Sequence, residues 1–417
     1  MPNSLLPISP LRALLFCLLL SLFELLTYVG SDVVMPGMLS VVNDLRADTR
    51  YVPLSLNAYL LGGVAFQWLI GPLSDRFGRR PLLLIGCVGF ALACLATPWV
   101  TDIRLFTALR FIQGIGLGFV VVVSYPALQE GFAESDAVKL MAMFSNIALL
   151  SPLLGPLVGS ALLSVMSWRT LFLAIALLGV LVWLGLYCLM PETIGVTRKD
   201  GSRLEPQPLH IGSIASAYLD LLRNGRFMSG SIALGLTGLP LLAWIALSPL
   251  LLMHNLGMST TEYALWQLPI FGALIAGNFA LNFLIEKFEI EQLVRLALIP
   301  VLGGLALALA ATLATGHVIA LISGLSLYAF GLGICNATLY RITLFSSESG
   351  KGSVSAMLGM ISVAIFGLGS SLLASLGAGN SLTAYIIAAS IPAFAAALPI
   401  TRVLVKPPEP ALANQAS

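Results

Sequence analysis

Gly71-Pro72-Leu73-Ser74-Asp75-Arg76-Phe77-Gly78-Arg79-Arg80 is the stretch from which the fold is read. It joins two apolar runs, near residues 52–72 and 80–99, and is far too short to be a domain. Gly71 and Gly78 permit close backbone approach and a tight turn. Asp75 can accept hydrogen bonds from a helix N-terminus or pair with an arginine. Arg76, Arg79 and Arg80 suit the inner leaflet of a membrane. A plain basic loop would explain the arginines, but not the ordered Gly-x-x-x-Asp-Arg-x-Gly-Arg-Arg.

The rest of the chain has the same character. Of 417 residues, 58% are apolar and only 10% are charged, against roughly 25% charged in soluble domains. A soluble globule could not bury that much apolar surface. The composition therefore indicates an all-α integral membrane protein and excludes disorder, collagen and a disulfide scaffold. A net charge of +2 gives no case for nucleic acid. The five cysteines lie in apolar stretches without metal-ligand spacing, and the three histidines are scattered, so no metal site is expected.

At roughly 20 residues per span, twelve spans fit. They fall near residues 11–34, 52–72, 80–99, 103–128, 137–165, 168–190, 227–254, 260–285, 292–314, 317–342, 352–377 and 380–405. The first run continues through Glu24 to Val34 without a small-x-small cleavage site, so it reads as a span and not as a removed leader. With the N-terminus inside, sixteen Lys and Arg fall on inner segments. Only Arg46, Arg50, Arg104 and Arg169 fall outside, and Arg110 stays in the membrane. Both termini are therefore expected in the cytoplasm. Pro191–Arg226 is the longest polar interruption. It divides the chain into a six-helix bundle (1–190), a cytoplasmic linker (191–226) and a second six-helix bundle with a short tail (227–417). In the linker, Ile211, Ile214, Tyr218, Leu221 and Leu222 recur at helical spacing. They form either an amphipathic surface helix or a packed linker helix.

An ionisable group inside a span is costly and is a functional candidate by default. Glu24 lies roughly 18 Å into the first span, and Asp32 roughly 12 Å further out. Asp32 is either functional or a helix-end residue, because Pro36 and Gly37 follow it. Arg110 lies roughly 10 Å below the outer surface, where it can neutralise an acid, brace helices or serve transport. No P-loop is present, since Gly350-Lys351-Gly352 lacks both the following Ser/Thr and the upstream Gly. No cofactor is expected, and an ion gradient is the natural energy source. A proton crossing 100 mV releases roughly 2.3 kcal/mol.

The 71–80 loop resembles the signature loop of the major facilitator superfamily. Leu109-Arg110-Phe111-Ile112-Gln113-Gly114 is similar to that superfamily's intramembrane arginine motif. Ser151-Pro152-Leu153-Leu154-Gly155-Pro156-Leu157-Val158-Gly159 resembles the Gly-Pro motif of its drug/proton antiporters. There Pro152 and Pro156 would bend the helix, while Gly155 and Gly159 permit close packing. The run Glu24–Gly37 resembles the MdfA-type multidrug/proton antiporters, as do Tyr59–Gly63, Leu239–Ala246, Gln267–Asn278 and Leu327–Gly331.

That resemblance implies a proton-coupled exporter in the bacterial inner membrane. Glu24 and Asp32 would couple protons with Arg110, and Gly71, Asp75, Arg76, Gly78, Arg79 and Arg80 would form a conformational latch. Candidate substrate contacts are Tyr28, Asn57, Gln113, Tyr125, Phe144, Ala148, Leu241, Leu242, Ile245 and Tyr263; for the apolar ones, core packing is an equal reading. Ser31 stands where Asn is expected and Phe144 where Met is expected, which bears on substrate preference. The implied partners are protons, membrane lipid and small lipophilic drugs of chloramphenicol-like and ethidium-like kinds, handled by a monomer. The alternatives are a metabolite symporter on the same fold, or a channel or membrane enzyme. The paired span-1 acids and the Gly-Pro motif favour export.

Overall fold

The computed structural model describes residues 4–206, 211–347 and 351–404. Within helices it leaves out the side chains of 134, 135, 138, 139, 141–149, 211, 213, 214, 217, 282, 351 and 352. Phe144 and Ala148 therefore lie outside the described side chains, and His210 outside the described residues.

The chain is helical throughout, apart from two isolated bridges. In the first half the elements are α1 (Pro10–Asp32), α2 (Met38–Asp44), α3 (Tyr51–Ala65), α4 (Gln67–Phe77) and α5 (Arg79–Ala96). They are followed by α6 (Ile103–Phe119), α7 (Tyr125–Gly131), α8 (Glu134–Leu163) and α9 (Trp168–Leu189). The linker helix α10 (Ile211–Arg223) precedes α11 (Gly225–Ser248), α12 (Thr260–Leu284), α13 (Ile290–Thr315) and α14 (Val318–Leu344). The last elements are α15 (Lys351–Ser375), α16 (Leu382–Ala395) and α17 (Ala397–Leu404).

Polar residues set the helix starts. Ser9 accepts from the Arg12 amide, Ser167 from Thr170, and Ser259 with Glu262 forms a capping box. Several spans are compound. The first does not stop near residue 34. It passes a 3₁₀ turn at Met35–Gly37 and continues as α2, so the apolar span runs from Pro10 to Asp44. Pro36 lacks an amide proton and bends the span without ending it. Asp32 is thereby inside a span, and not at a membrane-facing helix end. The second span is bent by 40° between α3 and α4. A π-helical turn at Val120–Ser124 joins α6 to α7, and another at Pro249–Asn255 extends α11. Large apolar side chains such as Leu18, Leu181, Phe283 and Ile299 are exposed on the outer faces, as expected of lipid-facing positions.

The packing repeats six spans apart. In the first half α3 packs on α6, α6 on α5, α5 on α9, and α1 on α6, α8 and α9. In the second, α12 packs on α14, α14 on α13, α13 on α16, and α11 on α14, α15 and α16. Close approach repeats with it. A Cβ on Gly62 or Gly114 would collide with the carbonyls of Phe111 and Tyr59, across α3 and α6. A Cβ on Gly277 or Gly333 would collide with those of Phe330 and Leu274, across α12 and α14. Arg12 Nε donates to the Leu189 carbonyl at 2.9 Å, and Arg226 Nε to the Val403 carbonyl at 3.2 Å. These pairs occupy equivalent places, each tying the start of a half's first span to the end of its last. The halves meet where α3 faces α15 and α8 faces α12.

Candidate functional site

The bend in the first span organises the site. A helix leaves its last carbonyls without intrahelical partners. At the end of α1 one of these, Gly30 O, accepts from Arg110 Nη1 at 2.6 Å. A cation is favoured at that end of a helix. The same Nη1 reaches Gln113 Oε1 at 2.9 Å, and Nε donates to Ser55 Oγ at 3.2 Å. The guanidinium lies over the Tyr59 ring, 4.6 Å from its centroid, and the Tyr59 hydroxyl donates to Thr27 O at 2.5 Å. Gln113 Nε2 donates to Thr97 Oγ1 at 2.8 Å. Arg110 thus braces α6 against α1 and α3. Among the described residues it forms no salt bridge with Glu24 or Asp32. Gln113 belongs to this brace; it does not line the central crevice described below.

Glu24 and Asp32 are both buried, and each is held by a hydroxyl. Tyr125 Oη donates to Glu24 Oε1 at 3.2 Å. Tyr125 follows directly on the π-helical turn, whose wider register resets the face that α7 presents. Among the described residues Glu24 Oε2 has no hydrogen-bond partner. Ser151 Oγ donates to Asp32 Oδ2 at 2.6 Å. The Gly-Pro motif makes that contact possible. A Cβ on Gly155 would stand 2.6 Å from Asp32 Cβ, and one on Gly159 would collide with the Val33 carbonyl. Two glycines therefore let α8 lie flush on α1 at the acid. Tyr28 sits half-buried on α1 between the two carboxyl positions.

Asp32 also opens onto the seam between the halves. A crevice of about 10 Å³ is lined by Asp32, Met35, Pro152 and Pro156 from the first half. Ile245, Tyr263, Gln267 and Phe271 line it from the second. Of the sequence candidates it gathers Asp32, Ile245 and Tyr263, together with both motif prolines. Leu241 is buried and Leu242 half-buried on α11, away from the crevice wall. Asn57 is committed across the seam instead. Its Nδ2 donates to Ser371 Oγ at 2.8 Å, and its Oδ1 accepts from Ser370 Oγ at 2.6 Å. Gln267 was missed as a site residue. It is buried and held by Trp244 Nε1 at 2.8 Å. An amide deep in an apolar span was the signal available for it. Ser55, Thr97 and Ser151 were missed because small hydroxyls are unremarkable in membrane helices.

The 71–80 segment is not the loop expected but the end of α4 and the start of α5, turned at Gly78 alone, and it closes the inner end of the first half. Arg79 Nη2 pairs with Asp75 at 2.6 Å and with Glu130 at 2.8 Å, and its Nη1 also reaches Ser74. Glu192 caps α5, accepting from the Arg79 and Arg80 amides at 2.8 and 3.2 Å. Gly78 has φ +104°, and a Cβ there would strike the Glu192 carboxylate. Arg80 donates to the Tyr187 carbonyl at 2.5 Å. Asp75, Gly78, Arg79 and Arg80 are thus brought together. Glu130 and Glu192, distant in sequence, complete the network unforeseen.

Among the described residues ten helices are long and apolar enough to cross a membrane, eleven with the bent pair α3–α4, and they form two similarly packed halves that meet over buried charge, the arrangement of a multi-pass membrane protein. A family model, the Major Facilitator Superfamily, matches residues 20–374. The chain is 48% identical over 359 residues to the multidrug transporter MdfA of Edwardsiella ictaluri (strain 93-146), covering 86% of each. The identity is also 48%, again over 86% of each, for the multidrug transporter MdfA of Yersinia pestis bv. Antiqua (strain Angola). A D-xylose–proton symporter crystal structure shares the fold, with a TM-score of 0.71 at 16% identity, over 93% of this chain and 97% of that one. The chain belongs to the Major Facilitator Superfamily and is a multi-pass protein of the bacterial inner membrane.

Proposed function

We propose that the chain exports lipophilic drugs, cationic and neutral, in exchange for protons, by alternating access of its two halves. One observation carries this reading: Asp32 lies on the wall of a crevice shared by both halves, with a second buried acid, Glu24, on the same helix. Charge on a carboxyl buried there carries a desolvation cost that a proton or a substrate cation can each remove. Proton and drug would thus compete for the same groups. Drug-sized ligands need pockets of roughly 300–1,000 Å³, far larger than the crevice. Admitting one would require the halves to part, as rocking about a midplane site provides. The likeness to multidrug transporters supports drugs as substrates; chloramphenicol-like and ethidium-like compounds are the kinds proposed. The proton gradient would be the sole energy source, and a monomer would suffice.

The test is a drug-susceptibility panel on efflux-deficient cells expressing the chain, with dye efflux followed before and after a protonophore. Resistance to several unrelated lipophilic drugs, lost with the gradient, is expected. Efflux that survives collapse of the gradient would rule out proton exchange.

A further inference from the structure

We propose that a cleft at the inner end of the second half binds the headgroup of an anionic phospholipid. The cleft has a volume of about 250 Å³ and is lined by Arg226, Ile290, Glu291, Arg341, Ile342 and Phe345. Arg226 stands in the first turn of α11, Glu291 in the first turn of α13 and Arg341 in the last turn of α14. All three therefore sit at the inner membrane boundary assigned from the basic residues.

At the inner end of the first half the Arg79 guanidinium is neutralised by two chain carboxylates, Asp75 and Glu130, while Glu192 accepts from the Arg79 and Arg80 backbone amides. The N-terminal segment also closes over the end of α7. Leu5 N donates to Gly131 O at 2.9 Å, and Leu6 is buried. The arginines of the second-half cleft are held differently. Arg226 spends its Nε on the Val403 carbonyl, and Arg341 lies over the Phe345 ring at 5.9 Å. Among the described residues neither is in a salt bridge. Two guanidiniums with spare donors suit a phosphodiester. The apolar wall of Ile290, Ile342 and Phe345 suits the glycerol and upper acyl carbons. Exposed Phe283 and Phe288, near the end of α12, extend apolar surface on the same side. Glu291 disfavours a bare phosphate and can accept a hydrogen bond from a headgroup hydroxyl. Phosphatidylglycerol therefore fits better than phosphatidic acid or free phosphate.

Native mass spectrometry of the purified full chain, with added phosphatidylglycerol or phosphatidylcholine, reads the site. Phosphatidylglycerol should be retained selectively. Retention should fall about fivefold for Arg226→Gln or Arg341→Gln and about 25-fold for the pair, while Arg295→Gln, outside the cleft, leaves it unchanged. Should the double variant fail to fold, Phe345→Trp provides the readout, because brominated phosphatidylglycerol should quench it more than brominated phosphatidylcholine. Equal retention of the two lipids, undiminished retention in the double variant, or displacement of the lipid by millimolar inorganic phosphate would each overturn the proposal.

Discussion

Glu24 and Asp32 differ in what surrounds them, and that difference separates their expected roles. Among the described residues Glu24 keeps one oxygen without a hydrogen-bond partner, while Asp32 is held by Ser151 beside the seam. A buried carboxylate can offset the desolvation of a cationic drug, whereas a neutral drug does not need it. Glu24→Gln should therefore weaken export of ethidium-like cations at least tenfold more than export of chloramphenicol-like neutrals. Parallel dose–response curves in cells decide it, and equal losses would remove the division. Asp32 is expected to give up a proton when drug binds. By linkage, such a drug loses affinity as pH falls. Purified protein in weak buffer should acidify the medium when a tight-binding drug is added, and Asp32→Asn should diminish that signal. An undiminished signal would leave the coupling to Glu24 alone. The position of Arg110 was legible as a costly charge in a span, but its partners were not. The carbonyl it satisfies lies in the last turn of α1, just before the 3₁₀ turn at Met35–Gly37, and nothing in the local sequence announces that pairing.

Among the helices, α8 and α1 form the contact on which the site depends. Gly155 and Gly159 were legible as close-packing positions, and the structure supplies their partners, Asp32 and Val33. Gly159→Ala should force α8 off α1, at a cost of about 1–3 kcal/mol for overpacking, and reduce transport as Ser151 leaves Asp32. Gly89→Ala is the control, because nothing lies within 4 Å of its added Cβ. Thermal unfolding in detergent should separate the two variants by several degrees; equal midpoints would mean that α8 tolerates the methyl group. The spans were readable because most apolar runs are long enough to cross the roughly 30 Å hydrocarbon core. Their compound structure was not readable, since a 3₁₀ or π turn keeps the same composition. The repeat was hidden for a different reason. It survives in spacing more than in identity, as Tyr59–Gly62 with Phe111–Gly114 and Leu274–Gly277 with Phe330–Gly333. Only the backbone collisions reveal that those pairs are equivalent.

Across the whole molecule, polar contacts between the halves gather toward the outer ends of the spans. Asn57 bonds Ser370 and Ser371, and Ser160 Oγ lies 3.4 Å from Thr261 Oγ1. The turn at Met35–Gly37 also touches α12, and α2 touches the π-helical turn at Pro249–Asn255. Each such hydrogen bond contributes only about 0.5–1.5 kcal/mol net, so the seam is closed but separable. Under alternating access, drug can leave only if these outer ends part. Ser160→Cys with Thr261→Cys places two thiols where the hydroxyls now meet, three residues from the end of α8 and at the second residue of α12. Of the native cysteines only Cys188 is exposed, and replacing it with serine leaves the engineered pair as the accessible thiols. Mild oxidation, or a short bismaleimide where disulfide geometry is unfavourable, should join the halves and stop dye efflux in everted vesicles. Reductant should restore efflux only in the disulfide form. The serine–threonine parent should be indifferent to both treatments. Cross-linked protein that still exported at the parent rate would mean that α8 and α12 stay together through the cycle, and that substrate reaches the outside by another route.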